Sequence, residues 1–279
     1  MKKIKLLLVL FITVGFNTNA QDAKTIITKA ISAMNTTNTY QYEFTSVERI
    51  NGAYITSVMT TKLMQSPHKV YLNNIGGPNK GKELLYVAGE NKNKVLVNVA
   101  WGFSLDPFSS LIRKGNHYTI LDSGFKNVKS IIQGAKTRAD AEGKFNEVFK
   151  YVGTVTFDGA TCYKVEINDP TYTYVNYTIK AGESLYAIAK KLKVCEQLII
   201  EKNSSLSGFD SAKEGMVIKV PSSYAKKSIL YINTQNNHVV YQEVSDEKGI
   251  FEKYSFKSLK INPTFAADEF KSDCKSYNF

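Results

Sequence analysis

YQYEFTSVERINGAYITSVMTTKL, residues 40–63, is the stretch from which the architecture can be read. Tyr40, Tyr42 and Phe44 alternate with Gln41, Glu43 and Thr45, the period of two that sends successive side chains to opposite faces of a strand. Asn51-Gly52 is a hairpin signal, because both residues tolerate positive φ, and Ala53–Leu63 returns as the second strand. Outward from this hairpin the rhythm continues. Short strands are expected at Lys69–Leu72, Glu83–Ala88 and Lys94–Val99, separated by Gly, Pro and Asn clusters. They resume at Glu147–Phe157 and Thr161–Ile167 around Asp158-Gly159, then at Ser228–Ile232, Val239–Val244 and Phe251–Ile261. The pattern is that of an antiparallel meander.

Helical spacing occurs in fewer places. Ala23, Ile26, Ile27, Ala30, Ile31 and Met34 form one apolar stripe, and Asp22 is placed to cap it. Phe108–Ile112 and Asn127–Ile132 read as helical, with Gly115 and Gly124 as breaks. Before all of these, Lys2, Lys3 and Lys5 precede an apolar run, Leu6 to Phe16, and Thr18 and Ala20 are small residues suited to a cleavage site before Gln21. That order is expected of a secretory signal peptide over residues 1–20. The run is shorter than the ~20 residues of a membrane-spanning helix. Without the three leader lysines, 33 basic face 25 acidic residues, about +8, and the mature chain is expected in the periplasm or cell envelope with no transmembrane segment. Its lysines are scattered, which with export argues against nucleic acid and fits an anionic envelope. Cys162, Cys195 and Cys274 are an odd set; one bridge, Cys162–Cys274, and three isolated buried thiols are both open.

The segment YTIKAGESLYAIAKKLKVCEQLIIEKNSSLSGFDSAKEGMVIKVP, residues 177–221, has a different logic. Tyr177-Thr178-Ile179 is a short strand, and Gly182 makes a turn. Ser184 can cap a helix with Leu185, Ile188, Ala189 and Leu192 on one face. A second helix at about Glu196–Lys202 ends near Asn203, and Val217–Val220 closes the unit before Pro221. Tyr177, Thr178, Ile179, Gly182, Glu183, Ser184, Leu185, Ile188, Ala189, Asn203, Gly215, Ile218, Val220 and Pro221 fall in order on the pattern of the LysM family, which this segment resembles. The resemblance implies a βααβ fold that binds N-acetylglucosamine-containing glycans, peptidoglycan in a bacterium. It also implies two lips for the glycan: Ala181, Gly182, Glu183, Ser184 and Leu185, then Asn203, Ser204, Ser205 and Leu206. Leu185 reads equally as core, and Asn203 equally as a helix-end brace. Cys195 stands where a Ser or Thr cap is usual and reads as a packing residue.

NKGKELLYV (79–87), LDPFSSLIRKG (105–115), the Cys162 strand and FEKYSFKSLKINPTF (251–265) together resemble an uncharacterised family of secreted bacterial proteins related to the lipoprotein-carrier (LolA/LolB-like) fold. The resemblance implies an α+β host: an antiparallel half-barrel, its sheet unclosed, with helices against the concave side. The expected organisation is a host of residues 21–172 and 222–279 with the LysM module, 173–221, inserted in a loop. Tyr40, Tyr42, Phe44, Phe149, Tyr151, Phe157, Tyr254 and Phe256 are candidates to line an apolar cavity, though core packing is their commoner use. Lys80, Lys82 and Arg113 are candidates for a lipid headgroup, with a solvated surface as the plainer reading.

Catalytic groups are scarce. His68, His117 and His238 have no His or Cys partner at metal-ligand spacing, and no G-x-S-x-G or S-x-x-K motif stands in a convincing context. A carboxylate pair such as Glu83 with Asp106 has no motif behind it. The expectation is a non-catalytic protein with no cofactor and no metal, bound to peptidoglycan glycan strands through one module. The alternatives are a carrier of lipid, lipoprotein or another apolar ligand, and a peptidoglycan hydrolase with an unrecognised site.

Overall fold

The structure, a computed structural model, describes residues 22–98 and 103–279. The signal-peptide reading of residues 1–20 lies outside them. The described chain opens with α1 (Ala23–Thr36); of its predicted stripe, Ala23, Ile26, Ile27, Ala30 and Met34 are buried and Ile31 is half-buried. Asp22 caps it: Thr25 N donates to Asp22 Oδ1 at 2.7 Å. Removing that acceptor leaves a first-turn N–H without its partner, so Asp22→Ala is expected to cost about 1 kcal/mol. A thermal melt with a lower midpoint and unchanged helical signal checks it.

The hairpin of residues 40–63 forms β1 (Thr39–Ile50) and β2 (Ala53–Gln65), paired from Thr39↔Met64 to Ile50↔Ala53. Asn51 and Gly52 both take positive φ, 50° and 83°, as the turn requires. On one side follow β3 (His68–Gly76), β4 (Glu83–Val87), β5 (Val95–Val97) and β6 (Phe103–Leu105). On the other come β13 (Gly249–Ile261), β12 (Val239–Asp246), β11 (Lys227–Asn233), β8 (Ala160–Asn168) and β7 (Phe149–Phe157). The order β6-β5-β4-β3-β2-β1-β13-β12-β11-β8-β7 is antiparallel throughout, and among the described residues its two ends do not pair with each other. The sheet is therefore the unclosed half-barrel. No helix among the described residues is long and apolar enough to cross a membrane.

The barrel wraps around helices. α3 (Phe125–Ala141) lays Phe125, Val128 and Ile132 against α1 and the inward residues of both wings, Tyr40, Leu63 and Val70 on one and Val165, Leu230 and Ile232 on the other. Gly124 lets α3 enter this close. Its φ is +92°, and a Cβ there would lie 2.1 Å from a Leu63 methyl. Smaller helices flank it: α2 (Ser110–Arg113) and α4 (Phe145–Val148). Glu147 and Val148, expected in a strand, are helical; Phe145 and Val148 three apart point into the same core, and Phe145 stacks on Phe149 at 4.6 Å.

The opposite face of β3 and β4 is covered by the C-terminal segment. Tyr277 stacks on Tyr71 at 3.6 Å, and Glu83 accepts from Tyr71 Oη and Asn278 N at 3.0 and 3.1 Å. Glu83 is thus a buried anchor, while exposed Asp106 accepts from Phe108 N at 2.8 Å in its own turn; the two carboxylates serve different structures. All three cysteines are free and buried, so the Cys162–Cys274 bridge is not formed.

β8 and β11 pair directly, from Asn168↔Lys227 to Cys162↔Asn233, and residues 169–226 leave the sheet between them. Asp169 N donates to Lys226 O at 2.9 Å and closes the neck. Beyond it, β9 (Tyr174–Thr178) pairs with β10 (Val217–Pro221), and α5 (Leu185–Leu192) and α6 (Glu196–Lys202) lie between them in sequence.

Candidate functional sites: the module lips, the barrel cavity and the seam

The small βααβ unit has its own core of Ile179, Leu185, Ile188, Ala189, Val194, Ile199, Leu206, Ile218 and Val220. Ser184 caps α5 by accepting from Ala187 N at 3.1 Å. Around the first lip, Gly182 takes φ +74°, and the Glu183 carboxylate gathers Tyr177 Oη at 2.7 Å, Lys180 N at 3.1 Å and Lys191 Nζ at 3.0 Å. These donors, the tyrosine first, hold the Glu183 pKa down at about 2. The lip therefore keeps its brace at any pH where an ordinary glutamate would begin to protonate. Around the second lip, Asn203 donates through Nδ2 to Ile199 O and Lys219 O at 2.7 and 2.8 Å and accepts from Lys219 N at 2.8 Å.

The nine residues expected at the lips divide by role. Ala181, Gly182, Ser184, Ser204 and Ser205 are exposed. Leu185 and Leu206 are buried in the module core, and Asn203 ties α6 to β10. Asn203→Ala removes three bonds to backbone, one buried and two part-buried, so a loss of about 1–3 kcal/mol is expected; chemical denaturation of the full chain measures it.

In the half-barrel, Tyr42, Phe44, Met59, Leu72, Leu84 and Phe256 line a cavity of about 600 Å³. Its wall is not wholly apolar: Glu48, Tyr118, Tyr224, Gln242 and Tyr254 also contribute. Of the aromatic candidates, Tyr42, Phe44, Tyr254 and Phe256 reach the cavity, whereas Tyr40 and Phe149 are fully buried in the core. Phe157 lies on the other face of the sheet with Tyr231 and Tyr241. Lys82 and Arg113 are on the cavity wall, and Lys80 is exposed. Arg113 is not the solvated residue expected. It is 2% exposed, pairs with Glu196 of α6 and sits 3.6 Å over the Phe209 ring.

That pair belongs to a seam between barrel and module. Arg49 of β1 donates to Asp246 Oδ1 at 3.1 Å and to Glu201 Oε2 of α6 at 3.4 Å. Asp122 accepts from Tyr186 Oη at 3.2 Å and pairs with Lys190, both on α5. Cys195 and Leu198 pack on Tyr224, Ala225, Val244 and Phe251. Beneath them is a buried polar network. His117 Nδ1 faces Glu252 Oε2 at 2.8 Å, His117 Nε2 faces Arg49 O at 2.9 Å, and His117 N donates to Glu48 Oε2 at 3.0 Å. Tyr254 Oη donates to both glutamates, and Tyr224 Oη to Glu252. Burial raises the Glu48 pKa. Burial alone would lower that of His117, but Glu48 and Glu252 outweigh it and leave it raised. The Cys195 thiol is pushed well up, by burial first and by the Glu252 charge second.

No local motif marks this network, because its members are far apart in sequence. One signal was available. Glu48 continues the inward series Tyr42, Phe44, Ser46, and Glu252 continues Tyr254 and Phe256, so each carboxylate stands in line with cavity or core residues.

Fold and sites together define the class: an unclosed antiparallel half-barrel with an internal cavity, carrying a small βααβ module between two neighbouring strands. The module, residues 177–221, matches the LysM domain. The chain belongs to the family described as "Protein of unknown function (DUF1571)", which matches residues 37–194. No curated protein matches it. Among solved structures, it is similar to Pseudomonas aeruginosa MucB in complex with MucA, with 12% identity over 90% of this chain and 60% of that one, TM-score 0.40. It spans about three fifths of the MucB length. It is also similar to the Mycobacterium tuberculosis lipoprotein LppX, 12% identical over 88% and 98% of the two chains, TM-score 0.43. A LolA superfamily protein from Nitrosomonas europaea is 10% identical over 91% and 99%, TM-score 0.32. These likenesses are too distant to carry function across.

Proposed function

We propose that this is a non-catalytic protein of the bacterial cell envelope that docks on N-acetylglucosamine-containing strands of peptidoglycan through residues 177–221. The observation behind this is the orientation of the module. Its host-facing side, Tyr186, Lys190, Cys195, Glu196 and Leu198, is occupied by the barrel, while Ala181, Gly182, Ser184, Ser204 and Ser205 stay exposed. Backbone groups in such loops can bond acetamido groups, each for a net of roughly 1 kcal/mol, so long strands should be held better than short ones. The leader read at residues 1–20 would deliver the chain to the wall.

Co-sedimentation with isolated sacculi tests the reading, with Ala181→Glu/Ser205→Glu as the comparison. Both positions are exposed, so the fold should be kept. Pelleting that survives raised salt and is lost in the double variant supports the reading. Pelleting equal in both proteins, or abolished by modest salt, contradicts it.

A second role is favoured by the cavity. A space of about 600 Å³ walled by aromatic and aliphatic side chains suits an apolar ligand such as an acyl chain, held while the module localises the protein. A hydrolase would release muropeptides from sacculi in the same assay.

A further inference from the structure

Within the seam, three side chains from separate parts of the chain bring possible ligand atoms close together. His117 precedes the short turn leading to α3, Glu252 is on β13, and Cys195 stands at the N-terminus of α6 in the module. One ligand atom from each lies within 4.8 Å of the other two, and all three residues are buried. Cys195 occupies the capping position of α6, with its sulfur toward Gln197 N and the Tyr118 hydroxyl.

The surroundings prepare two of these groups as ligands. His117 Nε2 donates to the Arg49 carbonyl at 2.9 Å, while Nδ1 faces the cluster and holds a second proton toward Glu252 Oε2 at 2.8 Å. A histidine whose distal N–H is held by a backbone carbonyl is the usual outer arrangement of a metal-bound imidazole. The ring is also fixed by stacking on Phe251 at 4.1 Å and 17°. Glu252 turns Oε2 to His117 and takes the Tyr224 hydroxyl on Oε1.

We propose that His117, Cys195 and Glu252 form a binding site for a divalent zinc ion that fastens the glycan-binding module to the half-barrel. One nitrogen, one thiolate sulfur and one carboxylate oxygen make a donor set that zinc accepts readily and that magnesium or calcium does not. The charges balance: the ion meets one thiolate, one carboxylate and one neutral imidazole, and the thiol proton and the Nδ1 proton leave as it enters. The barrel cavity offers an approach, because Glu48, Tyr118 and Tyr224 stand in its wall. This site depends neither on glycan binding nor on an apolar ligand.

The test uses the full mature chain, purified without chelator. About one zinc per chain is expected by elemental analysis. Cobalt loaded in its place should give a thiolate-to-cobalt charge-transfer band in the near ultraviolet. The band should persist in Cys162→Ser/Cys274→Ser, which leaves Cys195 as the sole thiol, and vanish in Cys195→Ser. Tyr224→Phe, which loosens an outer bond, should weaken zinc binding by roughly ten- to a hundredfold. A folded wild-type chain that holds no zinc and shows no cobalt band overturns the proposal and leaves a plain buried histidine–glutamate pair. So does a band that is lost when only Cys162 and Cys274 are replaced.

Discussion

Arg49→Met is expected to destabilise the protein by about 3–5 kcal/mol, because it strands two buried carboxylates at once. The Arg49, Asp246 and Glu201 side chains are 6%, 2% and 9% exposed, so none can recover its solvation where it stands. Methionine would fill much of the arginine volume, which confines the effect to charge and hydrogen bonding. Urea denaturation should show a lower midpoint with little change in slope. Adding Asp246→Asn should return part of the loss, since the two sites share one interaction. A loss under about 1 kcal/mol would mean that the pair behaves as an exposed one. The same geometry bears on how the module can be studied. Deleting residues 177–221 removes Glu201 and Glu196, the partners of Arg49 and Arg113, and uncovers Tyr224, Val244 and Phe251. Substitutions at the exposed lips separate binding from folding more cleanly than a deletion does.

The second large effect concerns the cavity. Leu72→Trp would push an indole into the space bounded by Phe44, Met59 and Leu84. Binding of an environment-sensitive apolar dye, or of a single-chain lipid, should weaken by tenfold or more, a loss of at least about 1.4 kcal/mol. The cost to folding should be milder, about 1–3 kcal/mol, because the new ring enters a void rather than a filled core. Equal dye binding by the variant and the parent, both folded, would show that the dye lies elsewhere and would remove the support for a carrier role.

What the sequence disclosed was local. The hairpin of residues 40–63, the capped α1 and the LysM pattern each rest on spacings within one segment, and each is where it was expected. Alternation said which aromatics share a face, but not whether that face is filled. Tyr40 meets Phe125 of α3 at 4.4 Å and is core, while Phe44 two pairs along the strand borders open volume. The difference is set by where α3 lies, which no strand pattern contains. Phe157 shows a second limit. A bulge between Tyr151 and Thr154, with Gly153 at φ +116°, shifts the register of β7 by one residue and turns Phe157 to the outer face. The seam was least legible of all. Arg113 meets Glu196 across 83 residues and Arg49 meets Glu201 across 152, pairings that depend on how a module packs on its host.

The exposed lips of residues 177–221 are proposed to hold a glycan. Titrating the intact protein with soluble N-acetylglucosamine oligomers of increasing length, followed residue by residue in NMR amide spectra, tests it most directly. The expected result is saturable shifts centred on Ala181–Leu185 and Asn203–Leu206, with affinity rising with oligomer length. Shifts confined to the half-barrel, or none at concentrations well above those of weak lectins, would contradict it.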